Sequence, residues 1–203
     1  MEWRAISGAA ALVLTISTTT SVWADEAPSA IAIRVFDRTG MPSADLLTAM
    51  SETEAILNGV GLRVSWADCS DPRNQPDGCR RPLGENELVM RLVNMHSRPA
   101  GHEFALGYSL VEPTAPHGSF ATVYDDLVRS AASRAGVDRR RLLGRAITHE
   151  IGHLLLNTNR HASTGLMRAV WSHVEIRHEN FADWRFGEDE ARTMRASLVG
   201  WNR

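Results

Sequence analysis

The chain has 203 residues, with 22 basic and 24 acidic side chains, 8 histidines, 2 cysteines and 43% hydrophobic content. This excludes a disordered tail and a cysteine-rich miniprotein, and a net charge of −2 gives no bulk electrostatic reason to bind nucleic acid or an acidic membrane. All the basic residues are arginine, which excludes a lysine Schiff base and a P-loop lysine.

Arg4 precedes an apolar stretch from Ala9 to Ile16 and a Ser/Thr-rich region ending Val22-Trp23-Ala24, the pattern of a secretory signal. Cleavage is expected after Ala24, leaving a single domain over 25–203 that is exported to a periplasm or released. No later segment is long and apolar enough to span a bilayer as a helix. Ala30 to Phe36 alternates and is rich in β-branched residues, so it reads as the first strand. Ser43 opens a helical pattern that ends at Gly59 or Gly61, and Leu62 to Trp66 reads as a second strand. Cys69 and Cys79 then enclose a run of turn formers, which in an exported chain predicts a local disulfide closing a surface loop. Such a ring is worth about 2.7 kcal/mol in the chain-entropy model.

Strand candidates Glu87 to Val93 and Phe104 to Val111 flank a polar loop carrying His96 and His102. Ser119 to Tyr124 is a further short strand, running into a helix over 125–135. Asp138 is the expected N-cap of the next helix, whose apolar residues Leu143, Ile147, Ile151, Leu154 and Leu155 cluster on one side. Beyond it lies a stretch without clear period, then a last amphipathic helix over 188–198. Strands dominate the first part and helices the second, which predicts an α+β fold.

The central feature is His149-Glu150-Ile151-Gly152-His153, an H-E-x-x-H on a segment whose own period is helical. Four residues are about one turn, so the two imidazoles share a face, opposite the apolar one. Chance supplies roughly 0.02 such patterns in a chain of this make-up, and the pattern is that of a zinc site. A catalytic zinc needs a third protein ligand and an open fourth position. His161 is the first choice, because Asn157 can adopt the left-handed conformation that ends a helix and lets the chain swing back. Glu175 or Glu179, giving a His2Glu site, and His173 or His178 remain alternatives.

The segment resembles the metzincin branch of zinc metalloproteases, whose motif is H-E-x-x-H-x-x-G-x-x-H followed by a turn with a methionine beneath the metal. His149, Glu150 and His153 match; Leu156 and Asn159 stand where the family has glycine and its third histidine, with Asn157 and His161 as displaced equivalents. Gly165-Leu166-Met167 resembles the Met-turn, with Met167 as its methionine. The resemblance implies a small mixed sheet with one early helix, then an active-site helix and a smaller C-terminal part. It also implies an edge strand that binds peptide, for which Phe104 to Val111 and Ser119 to Tyr124 are the candidates.

These readings predict a secreted zinc endopeptidase acting on peptide or protein substrates, with Glu150 taking a proton from water activated by the metal. Two rival readings are a non-catalytic zinc-binding or partner-binding module on the same frame, and a zinc amidase acting on cell-wall peptide. Arg139-Arg140-Arg141 is expected to be a solvated face, and Trp171, Phe181, Trp184 and Phe186 to pack the second half against the metal helix.

Overall fold

The computed structural model describes residues 30–84, 86–95, 105–112 and 118–199. The segment read as a secretory signal and the loop carrying His96 and His102 lie outside the described residues. Strand β1 (Ala30–Asp37) leads through helix α1 (Ser43–Asn58) to β2 (Arg63–Asp68), and β3 (Glu87–Val93), β4 (Gly107–Leu110) and β5 (Phe120–Tyr124) follow. The five strands form one sheet in the order β2-β1-β3-β5-β4. β2, β1, β3 and β5 run parallel, and β4 alone is antiparallel, pairing Ser109 with Ala121 and Tyr108 with Thr122. This is the expected α+β class, with β4 at the edge of the sheet.

The parallel centre explains the sequence of β1 and β3. Ile31, Ile33, Val35, Leu88, Met90 and Leu92 are buried in the core, as strands covered by helices require. Arg34 is buried there too, and its guanidinium pairs with Glu87 while donating to the Arg81 and Pro82 carbonyls at 2.8 and 3.0 Å. A second arginine, Arg81, also pairs with Glu87. Cys69 and Cys79 form a disulfide with their Cα atoms 5.6 Å apart, beyond the end of β2. Helix α1 starts at Ser43 with Pro42 as its cap residue and no side-chain cap bond.

Helix α2 (Asp125–Ala135) ends at Gly136 in the left-handed conformation, and α3 (Arg139–Leu156) follows at once. Asp138 caps α3, its side chain accepting from the Arg140 N–H. The apolar side expected of α3 and the opposite face bearing the imidazoles are both enclosed, since every residue from Leu142 to Leu155 is buried. Helices α1, α2 and α5 (Glu188–Val199) and strands β4 and β5 all pack against α3, so polar positions such as Arg145 and Thr148 are enclosed with the apolar ones.

Of the arginine triplet, Arg140 and Arg141 are exposed as expected, but Arg139 is not part of a solvated face. Arg139 Nη1 donates to both carboxylate oxygens of the fully buried Asp125 at 3.0 and 2.9 Å, and its other nitrogen pairs with Asp45, so it ties α1 and α2 to α3. The stretch without period holds a short helix, α4 (His173–His178), and a 3-10 turn at Phe181–Trp184. Trp184 and Phe186 join the core as expected and Trp171 packs against it, whereas Phe181 is 63% exposed and stacks under Arg185 instead.

Candidate metal centre

His149 and His153 are placed by one turn of α3, and a short turn brings His161 to them. Asn157 ends the helix at φ 47° and ψ 45°, the left-handed conformation, and the Thr158 N–H closes the cap on the His153 carbonyl at 3.2 Å. The chain then reverses: the Ala162 N–H donates to the Met167 carbonyl at 2.9 Å, and the Leu166 N–H to the Arg185 carbonyl at 2.8 Å. Gly165 makes this reversal possible, with φ 73° and the Arg185 carbonyl oxygen 2.7 Å from where a β-carbon would stand.

The ring nitrogens are sorted by their backbone partners. His149 Nδ1–H donates to the Leu166 carbonyl at 2.8 Å and His153 Nδ1–H to the Thr158 carbonyl at 2.7 Å. A carbonyl can only accept, so in the neutral imidazole, the form that burial favours for both rings, Nε2 carries a lone pair rather than a proton. Those two lone pairs face one another, with His153 Nε2 3.0 Å from His149 Nε2, and His161 Nε2 lies 3.2 Å from His153 Nε2. Two unprotonated nitrogens at this distance repel unless a cation lies between them. Tetrahedral zinc with Zn–N bonds near 2.05 Å would set such pairs about 3.3 Å apart, so the donor set fits that ion. Among the described residues, His149, His153 and His161 are the group that could hold a metal.

The other residues weighed as third donors have different partners. Glu175 completes a capping box with Ser172 and pairs with Arg168, Glu179 faces Arg141 and Arg145, and His173 Nε2 accepts from Arg134 Nε. His178 is at the far end of α4. Met167 is fully buried beneath the helix, where a β-carbon on Gly152 would lie 2.5 Å from its sulfur and 2.7 Å from Phe186 Cε1. Trp171 sits edge-on to the His149 ring at 5.5 Å, and its indole N–H shares the Leu166 carbonyl at 3.3 Å.

Glu150 is held by the edge strand. Ser109 Oγ lies 2.7 Å from its Oε2, and a β-carbon on Gly107 would come within 2.8 Å of its Oε1. Gly107 and Ser109 alternate along β4 and so share one face, which forms a cradle for the carboxyl group. Burial pushes Glu150 up to about 7, with the Ser109 hydroxyl pulling the other way. Burial also pushes His149 down to about 3 and lowers His153 and His161. All these groups are therefore biased toward their neutral forms, in which imidazoles are competent ligands.

The histidines and Glu150 line a cleft of about 950 Å³ whose walls come from β4, α2, α3, α4 and the segment 168–172. Of the two edge-strand candidates, β4 lines this cleft through Gly107, Tyr108 and Ser109, while β5 is enclosed between β3 and β4. Sequence reasoning missed the Ser109–Glu150 bond, for which no local signal exists. It also missed α4, which Ser172 and Glu175 announce by their capping-box spacing.

No family model matches the sequence, and no curated protein matches it. Among solved structures, the chain is similar to a zinc-dependent peptidase from Methanocorpusculum labreanum, at 15% identity and a TM-score of 0.54 over 80% of this chain and 99% of the other. It is also similar to the archaemetzincin from Methanopyrus kandleri, at 18% identity and a TM-score of 0.50 over 88% and 99% of the two chains. At such identities what the three chains share is a fold, an α+β architecture of a five-stranded sheet and several helices.

Proposed function

We propose that the protein is a zinc-dependent peptidase, exported from the cytoplasm, that cuts within polypeptide chains. The observation that carries this reading is the convergence of three imidazole Nε2 atoms beside the buried carboxyl group of Glu150. Two neighbours in fold bear the descriptions zinc-dependent peptidase and archaemetzincin, which supports the same chemistry here. Export is supported by the disulfide, since such bonds persist in oxidising compartments.

His149, His153 and His161 would hold the ion, with Met167 beneath them as in a Met-turn. The Leu166 and Thr158 carbonyls fix two of the rings in the tautomer that ligation needs. The chemistry supplied when zinc is bound is Lewis-acid activation of a water and of the scissile carbonyl. Glu150 accepts the proton that this water loses and returns it to the nitrogen of the departing amine, so the carboxylate ends as it began. Ser109 keeps the carboxylate from rotating away, and thereby ties the base to the strand beside it. Along that strand a substrate in extended conformation adds as a sixth strand, its backbone bonded to β4.

The test is Glu150→Gln, which keeps the shape of the side chain and removes the base. The expected outcome is one zinc per chain with peptide cleavage reduced about a hundred- to ten-thousandfold. Undiminished cleavage by the zinc-loaded variant overturns the assignment of Glu150. A zinc-loaded wild-type protein that cleaves no peptide overturns the peptidase reading itself.

A further inference from the structure

The cleft contains a cation that the reaction does not use. Helix α2 turns Leu127, Ala131 and Arg134 toward the cleft, at spacings of four and three residues that put them on one face. Leu127 and Ala131 are buried, and with Ile176 and Ala146 they make an apolar floor beside His149 and Glu150. Arg134 follows at the end of that floor, about 10 Å along the helix from Leu127 at 1.5 Å per residue.

Arg134 differs from the other arginine in the cleft wall. Arg168 is held by two carboxylates, Glu175 at 2.6 Å and Asp183 at 3.3 Å. Arg134 donates to the Ser130 hydroxyl and to His173 Nε2, and among the described residues no carboxylate pairs with it. Its side chain is exposed at the surface of a cleft whose remaining walls are mostly apolar. A planar guanidinium presents a fork of N–H donors that matches a carboxylate in a bidentate pair.

We propose that Arg134 forms a carboxylate-binding subsite, so that the preferred ligands of the cleft are peptides with an apolar side chain followed by a carboxylate. The inference rests on the peptidase reading for its meaning as substrate specificity, but its binding test stands without catalysis. The carboxylate can be a free C-terminus or an acidic side chain, and both present the same group to the same fork.

Three probes separate these cases: N-acetyl-Gly-Leu-Leu with a free C-terminus, the same peptide as its C-terminal amide, and N-acetyl-Gly-Leu-Glu amide. Binding is measured calorimetrically to the zinc-loaded Glu150→Gln protein, with and without Arg134→Gln, and with Arg192→Gln as a distant control. The expected result is that at least one acidic peptide binds about ten- to a hundredfold more tightly than the neutral amide, the range of one charge-assisted contact. Arg134→Gln removes that preference, and Arg192→Gln keeps it. Whichever acidic peptide carries the preference identifies the source of the carboxylate.

Equal binding of all three peptides, or absence of binding, overturns the subsite. So does an acid preference that survives Arg134→Gln, since the carboxylate then binds elsewhere, as on the metal. Arg134 is exposed and its substitution leaves the core intact, so circular dichroism should match the parent. Acid-selective binding by a wild-type protein that hydrolyses nothing would discard the peptidase and retain the subsite.

Discussion

Helix α3 and the turn that follows it deliver the same side chain to the same place by different means. His149 and His153 are fixed by burial, on a helix packed on all sides, with their Nδ1 atoms bonded to backbone. His161 is exposed, and its approach depends on the left-handed Asn157 and on the backbone bond from Ala162 to Met167. In the proposed ligand set, two donors therefore share their supports with the fold, while the third is held by the turn alone. Stability and metal affinity should come apart when the frame and the turn are altered separately.

The largest expected loss of stability comes from the frame at a point remote from the histidines. Glu87→Gln leaves Arg34 buried beside a neutral side chain, and removing one partner of a buried pair costs about 3–5 kcal/mol. Chemical denaturation should show this loss, while zinc affinity in the folded protein stays within about twofold. Burial acts to raise Glu87, but the Gly84 N–H and the two arginines outweigh it and hold the carboxyl below its ordinary value of 4.5. The sign follows from linkage: the contribution is fully present above pH 4.5 and is lost as pH falls through the lower folded value. Glu87→Gln should flatten that acid limb, and an unchanged limb would assign it to other carboxyl groups.

A smaller effect is expected where frame and turn touch. Gly152→Ala inserts a methyl group where Met167 Sδ and Phe186 Cε1 leave no room, and overpacking of this kind costs about 1–3 kcal/mol. Because Met167 belongs to the turn, this variant should lose both thermal stability and zinc affinity. Loss of only one would mean that helix and turn are less tightly joined than their packing implies.

The smallest effect on stability should accompany the greatest effect on metal. His161→Ala removes an exposed side chain, so the metal-free protein should unfold within about 0.5 kcal/mol of the parent. Its zinc affinity should fall by more than the 10- to 100-fold (about 1.4–2.7 kcal/mol) typical of disturbing a ligand's outer partners. Competition with a chelator measures the second quantity, and unchanged affinity would remove His161 from the ligand set.

Much of this division is visible in the sequence. The helical period through Leu143, Ile147 and Ile151 places the H-E-x-x-H on a helix, and a residue tolerant of positive φ at 157 permits the return of His161. Both are local signals, carried by neighbours within a few residues. The enclosure of α3 is not local, since it depends on α1, α2, α5 and the sheet edge arriving from distant parts of the chain. For the same reason Arg139 looks like part of a charged surface until Asp45 and Asp125 are seen around it. The bond from Ser109 to Glu150 spans 41 residues, and no periodicity in either segment encodes it.

The brevity of β4 has a consequence for the protein's behaviour in solution. A sheet edge that can receive a peptide can also receive another copy of the same edge, which is the first step of strand-mediated aggregation. Four residues, Gly107 to Leu110, offer only a few backbone hydrogen bonds on the outer side. On the proposed peptidase reading, that would be enough to set the register of a substrate held by its side chains in the cleft. It is too little to bind a second molecule through the backbone alone. Extending β4 with β-branched residues should therefore trade solubility for any gain in peptide affinity.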